Sequence, residues 1–335
     1  MARKNKVDVS IVIVNYKSWN HLRNCLNSIK NLNNLSFTFE TIVIDNHSND
    51  GHFKSFATEF LQVSFFLNSG NNGFANACNL GTYKAKGDYF LFLNPDTEVN
   101  GAALEQLYQV SAKNSSIGIC SCLQKNSSGT YEKTVKFFPK ITTLFGFSRA
   151  IFSLFNNKKL ISKNQMIYTD WVSGSLIFIS KKWFEKVNGW NEDYWMYYED
   201  VDLSKKIHQF NGKVVILTSV ETIHAHGGAS RINLKTSIIT KNEVQISKHV
   251  YIQNHLKGLE RMISHFLLIC HNILTKTVLA ILGVFLFFIP KMRLNVYLFF
   301  KIINYYFSIL IKGSWLSIHS INYKKSHNEF RVKEK

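Results

Sequence analysis

Short apolar runs, each closed by a polar turn and followed by apolar residues at helical spacing, dominate the first two-thirds of the chain. Residues 9–14 (VSIVIV) are β-branched and read as a strand that ends at Asn15-Tyr16. Trp19, Leu22, Cys25, Leu26 and Ile29 then recur at helical spacing, which predicts an amphipathic helix over 18–30. Residues 39–44 form a second strand ending on Asp45, with the polar turn 46–51 behind it, and residues 63–67 a third. Gly70 and Gly73 punctuate a turn, a helix begins near Phe74, and the unbroken run 89–93 (YFLFL) suits a strand buried on both faces. Asn94-Pro95-Asp96 follows at once, so Asp96 stands at that strand's carboxyl end. A helix over 102–113 and a strand over 117–122 come next, whereas 124–170 shows no firm period and reads as variable excursions near a site. Order returns with 171–180, a helix near 182–187, an acidic and aromatic stretch over 189–202, a helix over 203–210 and a strand over 213–217. The alternation predicts an α/β domain with a parallel sheet and right-handed crossovers. No internal repeat is visible.

The pattern changes in the tail. Residues 277–289 (TVLAILGVFLFFI) form an uncharged run of 13 residues, about 20 Å long as a helix and short of a hydrocarbon core of roughly 30 Å. Extending it back to residue 262 places Lys276 near mid-bilayer, at a cost of about 2.5–3.5 kcal/mol. A second run, 294–311, carries Lys301. Two interfacial helices around Pro290, with Lys276, Lys291, Arg293, Lys301 and Lys312 toward headgroups, fit better than two spans. A soluble helical extension packed on the α/β domain is the alternative. The expected division is 1–235 for the α/β domain and 236–335 for the basic helical region.

Charge sharpens this reading. The 335-residue chain is 46% apolar with a net charge of +18, and from Tyr251 onward twelve Lys/Arg face three Asp/Glu. Nucleic acid and an anionic membrane both suit such a surface, and the interleaved apolar runs decide for the membrane. Five cysteines without a CxxC pair give neither a disulfide framework nor a zinc site, which implies a reducing compartment. The basic N-terminus runs straight into a strand pattern and reads as no secretory signal.

Candidate chemistry gathers at strand ends: Asp45, Asp96, the Glu199/Asp200/Asp202 group, and His224 with His226. Ligands of open α/β sheets bind in the crevice at the strands' carboxyl ends. The glycine turn and the helix behind it suit a phosphate, and a carboxylate in such a place points to a divalent cation between carboxylate and phosphate. Singly, each residue has a plainer reading. Asp45 and Asp96 can be helix caps, Glu199 and Asp200 an acidic first turn, and a histidine in a strand a structural one. No Ser/His/Asp or Cys/His arrangement for a covalent nucleophile is evident.

Six segments together resemble the inverting family 2 glycosyltransferases of GT-A fold: VSIVIVNY, TIVIDNHSNDG, NSGNNGFANACNLG, FLFLNPDTEV, GWNEDYWMYYEDVDLSKKI and HAHGGAS. More narrowly they resemble the bacterial rhamnosyltransferase-like branch, over about residues 8–230. The resemblance implies a nucleotide site built from Asn15, Tyr16, Asp45, Asn46, Asn72, Gly73, Asn76 and Asn94, with Asp45 accepting the N3–H of a uracil or thymine. It implies Mg²⁺ or Mn²⁺ on Asp96, held with more water because Asn94 replaces a second carboxylate. His226 is then favoured over His224 as a further metal ligand. It implies Asp200 as the base that deprotonates the acceptor hydroxyl, desolvated by Trp195, Tyr197 and Tyr198, with Glu199 as the rival. The implied reaction is a single inverting displacement from a dTDP- or UDP-sugar, rhamnose first, onto a lipid-linked or polysaccharide acceptor. It would take place at the cytoplasmic face of a bacterial inner membrane, on an enzyme held there peripherally or monotopically. Galactosyl, glucosyl or N-acetylhexosaminyl donors, or a non-catalytic nucleotide-sugar-binding scaffold, are the alternatives.

Overall fold

A computed structural model describes residues 6–146, 165–225 and 233–326. The elements in chain order are β1 (Val9–Asn15), α1 (Trp19–Lys30), β2 (Phe39–Asp45), α2 (His52–Glu59), β3 (Val63–Leu67), α3 (Phe74–Lys84), β4 (Tyr89–Leu93), β5 (Thr97–Glu98) and α4 (Gly101–Lys113). They continue with β6 (Ile117–Lys125), β7 (Met166–Tyr168), β8 (Leu176–Ser180), α5 (Lys181–Lys186), α6 (Glu199–Gln209), β9 (Lys213–His224), α7 (Leu234–His255), α8 (Gly258–Phe285) and α9 (Pro290–Lys312). The described strands form one sheet in the order β3-β2-β1-β4-β8-β6-β9-β5, with β7 also on β9. The expected parallel pairing holds for β3-β2-β1-β4 and again for β6 with β9. The rest is mixed: β8 runs antiparallel to both β4 and β6.

The chain divides into two compact units, 1–138 with 153–192 and 199–229, and 139–152 with 193–198 and 230–335. The first unit is layered by the alternation of its strands. Val9, Ile11 and Ile13 of β1 join α1 and α4 in one core, whereas Val12 and Val14 join α3 and α6 in the other. Trp19, Leu22, Cys25, Leu26 and Ile29 of α1 are buried as their spacing predicts. Each such side chain contributes about 1.5–3 kcal/mol when fully buried. Gly81 lets α3 lie directly on β1, since a Cβ there would meet Val12 Cγ1 at 2.4 Å.

The second unit is built differently. Among its described residues, Leu144, Ile252 and Leu268 form one small apolar cluster. α8 buries Ser264, His265, Leu268, Asn272, Ala280 and Gly283, and turns Leu259, Phe266, Ile273, Ile281 and Phe285 outward. These outward residues recur every seven or eight positions and then every four, so they share one face of the helix. Small residues let the backbones close up: a Cβ on Gly283 would lie 2.6 Å from the Met292 carbonyl of α9. Asn272 Nδ2 donates to Tyr306 OH at 2.8 Å, tying the buried polar positions together. Pro290 starts α9, where its missing N–H costs nothing, and Gly313 ends it at φ 63°. With 28 and 23 residues, α8 and α9 are each long and apolar enough to cross a membrane, by length and composition.

Candidate active site

The parallel half of the sheet places Asn15, Asp45 and the chain after β3 side by side, because β1 pairs with β2 and β2 with β3 in register. Asp45 is 1% exposed. Its Oδ1 accepts from Asn15 Nδ2 at 3.0 Å and from the Ser48 hydroxyl, and its Oδ2 accepts from the Ser48 N–H at 3.0 Å. It therefore staples two strand-end loops and caps the turn at Ser48, not helix α2, whose N-cap is Gly51. Of the roughly four acceptor positions of a carboxylate, described residues fill three at Asp45. Beside it an amide cluster links the loops: Asn68 Nδ2 donates to Asn46 Oδ1 and Asn76 Oδ1, both at 3.0 Å, and Asn46 Nδ2 donates to Asn71 Oδ1 and the Gly73 carbonyl. Gly73, at φ 97°, is the N-cap of α3, and Asn72 is tied to Ser69. Tyr16 follows β1 and is half-buried, and Asn94 follows β4, its N–H donating to the Ser175 carbonyl.

The other end of the crevice is made by long-range pairing. β5 pairs antiparallel with the end of β9, setting Thr97 against His224, and the Ala225 N–H donates to the Asp96 carbonyl. His224 Nε2 consequently lies 3.3 Å from Asp96 Oδ1. On its other side, His224 Nδ1 lies 2.6 Å from Glu132 Oε1. Burial alone would lower the His224 pKa, but its bonds to Asp96 and Glu132 and their charges raise it to about 9. Burial opposes ionisation of Asp96 too, and the His224 partner outweighs it, holding the carboxyl below its ordinary value. Beyond the His224 nitrogen, Asp96 Oδ1 is buried with no hydrogen-bond partner among the described residues. A buried, under-satisfied carboxylate oxygen facing an imidazole nitrogen is a donor pair that fits a divalent cation. Among the described residues no group of three His, Cys, Asp or Glu stands ready for a metal, and His226 lies outside them.

The acids near 200 separate as helix geometry requires. α6 begins at Glu199, four residues before the expected start, which puts Glu199, Asp200 and Asp202 in its first turn. Asp202 is buried, accepts from Asn191 Nδ2 and sits 3.5 Å from Lys206 Nζ one turn on. Asp200 Oδ2 accepts from the Gly174 N–H at 3.0 Å and Oδ1 from the Val201 N–H at 2.8 Å. An added Cβ on Gly174 would touch both Asp200 and the Phe74 ring, which locates Asp200 beside the start of α3. Burial raises the Asp200 pKa against the opposing charge of Lys136. Burial, then the Asp200 charge, raises Glu199 to about 8, and Glu199 Oε2 has no hydrogen-bond partner among the described residues. Trp195, Tyr197 and Tyr198 belong to the second compact unit, and Tyr197 and Tyr198 adopt left-handed backbone at φ 71° and 69°, uncommon for aromatic residues.

The family model for glycosyl transferase family 2 matches residues 10–187. The chain belongs to that family. A second model, the N-terminal domain of galactosyltransferase, matches 162–226, the stretch that carries Asp200 and His224. Among curated relatives, the low-salt glycan biosynthesis hexosyltransferase Agl10 of Haloferax volcanii is 28% identical over 65% of this chain and 67% of its own. The N-acetylglucosaminyl-diphospho-decaprenol L-rhamnosyltransferase of Mycobacterium tuberculosis is 22% identical over 64% and 75%, which agrees with the rhamnosyltransferase-like branch. Among solved structures, the mannosyltransferase PcManGT of Pyrobaculum calidifontis, in complex with GDP-Man and Mn²⁺, superposes with a TM-score of 0.54. It is 13% identical over 90% of this chain and 87% of that one, a likeness of fold, here GT-A.

Among the residues of this transferase's site that were not singled out from sequence are Glu132 and Lys136. Both fall in the stretch without period, where a tight hairpin (Lys125 bridged to Tyr131) returns the chain beside β6. The Asn126-Ser-Ser-Gly129 turn was the available signal, since such a turn next to a strand predicts a hairpin. A wider groove of about 570 Å³ lies along α1 and the start of α4, lined by Asn24, Asn27, Asn31 and Glu98, and contains none of the implied site residues.

Proposed function

We propose that this transferase moves a sugar, rhamnose first, from a dTDP- or UDP-sugar to a hydroxyl of a lipid-linked or polysaccharide acceptor, with inversion. The observation that carries the reading is the gathering in one compact unit of the Asp45 amide cluster, the Asp96–His224 pair and Asp200 beside Gly174. Asp45 has one acceptor position left for the N3–H of uracil or thymine, and the first turn of α3 presents backbone N–H groups suited to phosphate. Asp200 takes the proton of the acceptor hydroxyl, and its raised pKa makes it a stronger base than an ordinary carboxylate. The acceptor oxygen bonds to the anomeric carbon from the face opposite the diphosphate, and the bond to the diphosphate oxygen breaks with its electron pair. Mg²⁺ or Mn²⁺ on Asp96 and a histidine would neutralise charge on the departing diphosphate.

The outward apolar face of α8, with the net positive charge of the tail, supports a place on an anionic membrane surface, at the cytoplasmic side of a bacterial inner membrane. Galactosyl, glucosyl and N-acetylhexosaminyl donors remain within the reading. Thermal melts against a panel of nucleotide sugars, with and without Mn²⁺, test it: one donor class should stabilise the protein with Mn²⁺ and be slowly hydrolysed. Asp96→Asn should melt like the parent and lose the Mn²⁺-dependent shift. Full turnover by folded Asp96→Asn removes the metal role, and binding without any hydrolysis favours a scaffold.

A further inference from the structure

The geometry points to Glu132 as the positioning residue that turns His224 toward Asp96 as a metal ligand, an inference that rests on the metal reading above. His224 Nδ1 is 2.6 Å from Glu132 Oε1, while Nε2 faces Asp96 Oδ1 at 3.3 Å. In an imidazole the two nitrogens point to opposite sides of the ring. A carboxylate that takes the proton on Nδ1 leaves the lone pair of the neutral ring on Nε2, the side where Asp96 Oδ1 is under-satisfied. Glu132 sits on the wrong side of the ring to share that ion. Its part is orientation and tautomer.

The platform that carries Glu132 is braced for this task. Its own N–H donates to the Gln124 carbonyl at 2.9 Å, continuing the hairpin beyond the Lys125–Tyr131 bridge. The Asn126 side chain closes the turn by accepting from the Ser128 and Thr130 N–H groups. Lys125 Nζ and Tyr131 OH both reach the Glu221 carboxylate, at 2.6 and 2.8 Å. Glu221 lies three residues before His224 on β9, so the hairpin is tied to the ligand strand close to the contact. The ring is thereby held from behind by a part of the chain with no sequence proximity to it.

The test measures Mn²⁺ affinity by electron paramagnetic resonance on the full chain, with UDP or dTDP, whichever stabilises the protein more in a melt. Glu132→Leu and Glu132→Ala should each weaken Mn²⁺ about 10–100-fold and diminish the imidazole nitrogen coupling to the ion. Glu132→Gln, whose carbonyl still accepts from Nδ1–H, should recover part of the loss. Combining Glu132→Leu with His224→Ala should weaken Mn²⁺ no further than His224→Ala alone. If His224→Ala and Asp96→Asn lose Mn²⁺ while folded Glu132→Leu or Glu132→Ala binds it like the parent, the positioning role is overturned and the metal reading stands. If His224→Ala and Asp96→Asn also bind it unchanged, the metal reading fails and the role of Glu132 with it.

Discussion

α1 and α8 are both amphipathic helices, and they are amphipathic in opposite senses. α1 buries Trp19, Leu22, Cys25, Leu26 and Ile29 and leaves Asn20, Arg23, Asn24 and Asn27 on its other sides. α8 buries serine, histidine, asparagine, alanine and glycine among its inward positions and exposes Phe266 at 64% and Phe285 at 76%. A helix facing water gains by hiding its apolar stripe. A helix facing lipid has nothing to hide, packs through small residues and satisfies its polar groups internally. The first unit thus follows the rule for water, whereas α8 turns large apolar side chains outward, the observation on which the proposed membrane surface rests. The proposed chemistry and the proposed membrane contact thus rest on different units of the chain.

That separation is open to a double dissociation. The largest effect belongs to the crevice. Asp200→Asn should cut transfer, read as nucleoside diphosphate released in the presence of acceptor-bearing membranes, by about 10²–10⁴-fold. Donor affinity and vesicle sedimentation should be unchanged. Glu199→Gln should lose less, with much of its effect on the acceptor KM, and the reverse ranking would move the base to Glu199. Next comes the contrast between the helices. Leu22→Asp places a charge where the parent side chain is 0% exposed and should cost about 4 kcal/mol or more in a denaturant melt. Phe266→Asp should leave the melt nearly unchanged but weaken sedimentation with phosphatidylglycerol vesicles about tenfold or more, given roughly 1.5–3 kcal/mol for a buried Phe. If Phe266→Asp unfolds the protein as Leu22→Asp does, the outward face of α8 is covered by protein instead of lipid.

A further expected effect is on pH dependence. Glu199 titrates near 8 in the folded protein, above its unfolded value, chiefly because of burial. Between those two values the folded state holds a proton that the unfolded state has released. Stability therefore falls as pH rises through that window, by about 1 kcal/mol per pH unit for one such proton. Glu199→Gln has no proton to lose, so its stability should gain on that of the parent from about pH 5 to 8 in urea melts. Parallel curves for the two proteins would remove Glu199 from this account.

The elements whose periodicity is local were legible from sequence, and so was the order of candidate residues. The strands 63–67 and 89–93 coincide with β3 and β4, and the buried face of α1 is the one its spacing implies. The run 89–93 is buried as its pattern implies, whereas 63–67 forms the edge strand and is only partly buried, because position in the sheet is set by distant chain. The antiparallel placement of β8, the satisfied state of Asp45, and the contact of His224 with both Asp96 and Glu132 were decided only in three dimensions. The β8 and His224 contacts depend on register between segments some 80 to 130 residues apart, and the Asn15–Asp45 contact on the pairing of β1 with β2, which no local pattern encodes. The tail shows the same limit in another form. Hydropathy along 258–312 marks the helices as apolar, but which face buries asparagine and histidine, and which turns phenylalanine outward, follows from how α8 packs. Burial of polar side chains is affordable only where specific partners arrive to satisfy them, and those partners come from elsewhere in the chain.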